Sequence, residues 1–117
     1  MSKRMQISHR EAGPGIAVIQ VGGRVMLGEE SAQIEARLEE LLAKGIRRFI
    51  FELSGVTHID STGIGRFIAC LNRVTEAGGS LRMAAASPVV RDAFRVTRLD
   101  TVFEFFPDVD SAAAGLG

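Results

Sequence analysis

Residues Arg47 to Val74 read RRFIFELSGVTHIDSTGIGRFIACLNRV, and the place where this stretch changes its repeat decides the fold. "RRFIFEL" (Arg47 to Leu53) is short, rich in Phe and Ile, and apolar at nearly every position, as befits a strand covered on both faces. From Ser61 the period changes. Ile64, Phe67, Ile68, Leu71 and Val74 recur at helical spacing, and the pattern runs out at "EAGGS". Between the two lies "THIDSTGIG" (Thr57 to Gly65), which sets Asp60, Ser61 and Thr62 together ahead of Gly63 and Gly65.

Working outward, "IAVIQVGG" (Ile16 to Gly23) is a β-branched apolar run that predicts a strand, and "MQISHRE" can pair with it across "AGPG" as a hairpin. Ile34, Leu38, Leu41 and Leu42 define an amphipathic helix with Glu35, Arg37, Glu39 and Glu40 on its polar side and Gly45 as its stop. "LRMAA" predicts another strand. Ser87 and Pro88 open a third helix as N-cap and first helical residue, since proline has no N–H to leave unpaired there. "TVFEFF" predicts a last strand, stopped by Pro107, and an alanine-rich tail, loose from about residue 108, ends the chain. Strands alternating with helices predict an α/β fold: a small mixed, mostly parallel β-sheet with flanking helices, in the order β-β-α-β-α-β-α-β. At 117 residues the expectation is one domain, spanning 1–117.

Fourteen basic and fourteen acidic side chains cancel, so no long-range field holds a polyanion, and no nucleic-acid partner is expected. No stretch approaches the roughly 18 apolar residues of a membrane span, so no direct membrane insertion is expected. The single cysteine, Cys70, sits inside an apolar helical pattern and suits a core side chain in a reducing compartment, which points to the cytoplasm.

Ser61 admits four readings. In the plainest, Asp60 or Ser61 caps the second helix by accepting from its first-turn N–H groups. A nucleophilic reading, with His58 and Asp60 as base and orienting group, lacks the G-x-S-x-G elbow and a separate oxyanion donor. In a phosphate-cradle reading, "GIGRFI" supplies neither the lysine of a phosphate loop nor the third glycine of a dinucleotide site, which leaves a weak nucleotide contact open and a nucleotide-handling enzyme as a weak alternative. In the fourth, Ser61 is itself the substrate of a kinase, with Thr62 as alternate acceptor. Its phosphate would meet the positive end of the helix dipole, so the modification would disturb a partner rather than the fold. Thr62, Arg66, Ala69 and Arg73 fall on one side of the helix next to Ser61 and form the expected partner face.

The run from "RRFIFEL" to "TVFEFF" resembles the STAS domain, the module of bacterial anti-sigma factor antagonists and of the cytoplasmic ends of sulfate transporters. The resemblance is carried by "FIFEL", by Asp60-Ser61-Thr62-Gly63-Ile64-Gly65, by Gly78-Gly79, by "LRMAAA" and by Ser87-Pro88. It implies a non-enzymatic, protein-binding switch without cofactor or metal. An anti-sigma factor with serine kinase activity would phosphorylate Ser61 and a phosphatase would reset it. Asp60 would hold the turn, and Gly63 and Gly65 would allow close approach. In "GGRVMLGEES" Met26 stands where antagonists commonly carry an acidic residue, with Glu29 and Glu30 following. The alternative the resemblance leaves open is a constitutive STAS subunit of an ABC lipid-transport complex or a stressosome-type scaffold, and weak homodimerisation stays open as well.

Overall fold

The computed structural model describes residues 4–116; the ends of the expected span, residues 1–3 and 117, lie outside them. Five strands, β1 (Gln6–Glu11), β2 (Ile16–Val25), β3 (Arg48–Ile59), β4 (Ser80–Ala84) and β5 (Phe105–Phe106), pair in sequence order. The first pair is antiparallel and the other three are parallel, as the alternating pattern predicts. Between them run α1 (Glu29–Ala43), α2 (Ser61–Glu76) and α3 (Pro88–Val96), and a short helix α4 (Val109–Ala113) follows β5.

The helix stops follow from local chemistry. Gly45 takes a left-handed conformation (φ 95°), which lets Gly45 N–H donate to Leu42 O and Ile46 N–H donate to Leu41 O. Gly78 and Gly79 close α2 in the same way, through Thr75 O and Val74 O. At the start of α3, Ser87 Oγ accepts from Val90 N–H and Pro88 takes the first helical position.

One face of the sheet, built from Ala17, Ile19, Phe49, Phe51, Leu53 and Met83, joins the apolar stripes of α1, α2 and α3 in the main core. Phe51 meets Phe67 of α2 edge to face, with centroids 5.0 Å apart, and Phe94 of α3 meets Phe103 in the same manner at 5.3 Å. Such contacts hold α2 against β3 and so position the start of α2 at Ser61.

Three expectations need correction. The strand expected to end at Leu53 continues to Ile59, because β2 keeps pairing with it after a register shift between Gln20 and Gly22. "TVFEFF" is strand only at Phe105–Phe106; Leu99–Thr101 forms a 3-10 turn and Phe103 drops into the core. The tail expected to be loose instead holds α4, which covers Ile16, Val18, Ile50 and Ala84 on the second face of the sheet through Ala112. Arg82 donates to the carbonyls of Ala112 and Ala114 and Arg48 donates to that of Leu116, so two strand arginines pin backbone that composition alone marks as unanchored.

Candidate functional site

At the carboxyl ends of β2 and β3 the chain turns into α2. Asp60 is extended (φ −118°, ψ −175°) and caps the helix: its Oδ1 accepts from Gly63 N–H at 2.9 Å. Its Oδ2 accepts from Leu27 N–H at 2.9 Å, and Asp60 N–H donates to Val25 O at 3.3 Å. One carboxylate thus ties the start of α2 to the loop between β2 and α1. The Gly63 bond above all holds the Asp60 carboxyl below its ordinary range, with the Leu27 bond adding to it against the opposing effect of burial.

Gly63 is required by space. A Cβ there would lie 2.1 Å from the Val25 carbonyl oxygen and 3.0 Å from Ile59 Cγ1. Gly65 differs: a Cβ there would meet nothing within 4 Å. Of the two glycines expected to admit close approach, only Gly63 does so among the described residues.

Ser61, at the first helical position, is exposed, and the cap is supplied by Asp60. Thr62 beside it is half-buried. His58 Nδ1 lies 3.0 Å from Thr57 Oγ1, and both Asp60 oxygens are held by backbone donors, so the base and orienting roles of the nucleophilic reading are not assembled around Ser61.

The expected partner face divides. Arg66 donates to Ser31 Oγ at 3.1 Å and pairs with Glu35 at 3.3 Å, with its side chain only 28% exposed, so it fastens α2 to α1. Arg73 pairs with Glu39 of α1 from an exposed position. Ala69 is half-buried. Helical spacing places the four residues on one side of α2, but it carries no information about which helix that side faces.

Two features were not foreseen. The second Asp60 oxygen goes to the β2–α1 loop, where no sequence signal singles out Leu27. A groove of about 290 Å³ also opens beside the turn, lined by Arg4, Arg24, Met26, Leu27, Glu30 and Asp60 among others. Leu27 is 81% exposed at this groove. Among the described residues, no group of three or more His, Cys, Asp or Glu side chains is placed to hold a metal ion, and no helix is long and apolar enough to cross a membrane.

A family model described as the STAS domain matches residues 10–112. BtrV of Bordetella bronchiseptica, provisionally named an anti-sigma factor antagonist, is 26% identical over 90 residues, covering 77% of this chain and 78% of BtrV. An anti-sigma factor antagonist from Mycobacterium paratuberculosis superimposes with a TM-score of 0.82 at 21% identity, over 99% of this chain and 98% of that one. The anti-sigma factor antagonist SpoIIAA in its unphosphorylated form gives a TM-score of 0.76 at 17% identity, over 93% of this chain and 95% of its own. The phosphorylated form, from Bacillus, gives 0.69 at 15% identity, over 93% and 98%. At such identities these structural likenesses speak to the fold.

Proposed function

This chain belongs to the STAS domain family, and from that premise we propose that it is an anti-sigma factor antagonist-like binding module, switched by phosphorylation of Ser61. The observation that carries the reading is the division of labour at the turn. Asp60 caps the helix, while the neighbouring Ser61 hydroxyl is exposed and can be modified without removing the cap. An anti-sigma factor with serine kinase activity would transfer the terminal phosphoryl group of a nucleoside triphosphate to Ser61 Oγ. The O–P bond forms as the bond to the nucleoside diphosphate breaks, and the hydroxyl proton passes to a base on the kinase. A phosphatase would return serine and inorganic phosphate by hydrolysis.

In this reading the partner rests over Ser61, Gly65, Thr62, Ala69 and the exposed Arg73, with Arg66 holding the helix beneath. Glycine at an exposed helix position is less stable than alanine by about 0.5–1 kcal/mol, and no contact among the described residues needs it at Gly65. A bare surface beside the hydroxyl suits a partner backbone lying close. A phosphate there would put one and a half to two negative charges under that backbone, at the cost of desolvating them. BtrV is provisionally named for the same role, and SpoIIAA exists in phosphorylated and unphosphorylated forms.

The test is recovery of partners from lysate with wild type, Ser61→Ala and Ser61→Asp, together with mass spectrometry of Ser61 after incubation with the recovered kinase and ATP. Ser61→Ala should retain a protein that Ser61→Asp loses, and phosphate should appear at Ser61 or Thr62. Equal recovery by all three proteins, with no phosphate at either residue, would overturn the reading.

A further inference from the structure

We propose that Arg24 is the internal receptor for a phosphate carried on Ser61. The inference rests on the reading of Ser61 as a phosphoacceptor and names the group that would hold the phosphate once it is there.

The groove beside the turn contains four charged side chains, and three of them are already engaged. Both oxygens of Asp60 accept backbone N–H groups, from Gly63 and Leu27. Glu30 takes the Arg4 guanidinium at 3.0 Å. Arg24 lines the same groove, is exposed, and donates to the Met26 thioether at 3.6 Å. A thioether is a weak acceptor and is readily given up for charged oxygen.

The backbone register puts that guanidinium at the right level. Arg24 stands beside His58, and Val25 beside Ile59, in the β2–β3 pairing. The Arg24 side chain reaches forward along β2 to Met26, whose neighbours Val25 and Leu27 both hydrogen-bond Asp60. Arg24 thereby lines the same groove as Asp60, the residue that directly precedes Ser61 in the sequence. A phosphoserine there brings three acceptor oxygens, and the planar fork of arginine matches two of them. Pairing with Arg24 would also offset the repulsion between the phosphate and the Asp60 and Glu30 carboxylates that line the groove.

The experiment installs phosphoserine at position 61 during translation, so it needs no kinase. Failure here is thus distinct from failure of the switch reading, which concerns whether a partner phosphorylates and then leaves the protein. Phosphorus NMR follows the second ionisation of the phosphate, ordinarily near pH 6. Every protein in the series carries His58→Gln, so that protonation of Arg24's neighbour in the register does not enter. Removing a cation that pairs with the phosphate should raise the midpoint, so Arg24→Gln should lie above the parent by about half a unit or more. Arg24→Lys, which keeps the charge and loses the fork, should lie between. Arg10→Gln removes the same charge far back along the sheet, where Arg10 pairs with Val18, and should leave the midpoint unmoved. Unphosphorylated Arg24→Gln should keep the parent's melting temperature. Equal midpoints with and without Arg24 would overturn the proposal, as would an equal rise in Arg10→Gln, which would mean a net-charge effect. A rise with Arg4→Gln and none with Arg24→Gln would overturn it in favour of Arg4.

Discussion

Gly63→Ala and Gly65→Ala make the same chemical change two residues apart on one helix, and they should move stability in opposite directions. At Gly63 the added methyl group lies 2.1 Å from the Val25 carbonyl oxygen, so the helix start must back away from β2 by about 1 Å. That retreat strains the Asp60 bonds to Gly63 N–H, Leu27 N–H and Val25 O. Loss of an N-cap is worth about 1 kcal/mol, and forcing an extra carbon into packed structure costs about 1–3 kcal/mol. The helix gains back only about 0.5–1 kcal/mol from replacing glycine. The net loss is about 2 kcal/mol. At Gly65 the methyl enters open space, and the same helix gain stands alone. Urea unfolding reads both: with an m-value of about 1–3 kcal/mol/M, Gly63→Ala should lower the midpoint by about 1 M and Gly65→Ala should raise it slightly, without change in m. Gly63→Ala as stable as wild type, or Gly65→Ala equally destabilised, would refute the argument that contact with Val25 O is what selects glycine in this turn.

The hydrogen bond from Gly63 N–H above all holds the folded-state pKa of the Asp60 carboxyl below the ordinary aspartate value of 3.8. Its contribution is therefore present above that value and lost as pH falls through the lower, folded one. Asp60→Ala should lower stability near neutral pH by about 1–2 kcal/mol and flatten the acid limb of a pH–stability curve, read by thermal melts from pH 7 to pH 2. Arg66→Glu removes the donor to Ser31, which is 1% exposed, and sets a second carboxylate beside Glu35. It should cost about 1–2 kcal/mol, against about 0.5 kcal/mol for Arg73→Glu at its exposed pair; equal losses in urea melts would show that burial is not what separates them. Burial first, then the nearby Glu35 and Glu39 charges, pushes the Cys70 thiol up to about 12. A thiol reagent at pH 8 should leave it unmodified until denaturant unfolds the chain, and rapid labelling of the native protein would contradict that placement.

Much of the fold was legible because its signals are local. The change of period at "THIDSTGIG" marks a strand handing over to a helix, glycines mark the ends of α1 and α2, and Ser87-Pro88 marks the start of α3. Each depends on backbone conformation or on hydrogen bonds within a few residues. The strand misjudged at Thr101–Glu104 and the tail judged loose both depend on distant partners: Phe94 draws Phe103 inward, and Arg82 and Arg48 bind the carbonyls around α4.

The candidate site divides along the same line. The sequence alone determined that Asp60, Ser61 and Gly63 would meet at the start of a helix, because a cap, a first-turn residue and a tight turn lie within four consecutive residues. The tertiary structure decided that Asp60 also holds Leu27, that Arg66 fastens α2 to α1, and that Arg24 and Asp60 line one groove. Those choices depend on which strands lie side by side and how helices pack across the sheet, and a pattern along one chain carries local geometry without the identity of the neighbours it will meet.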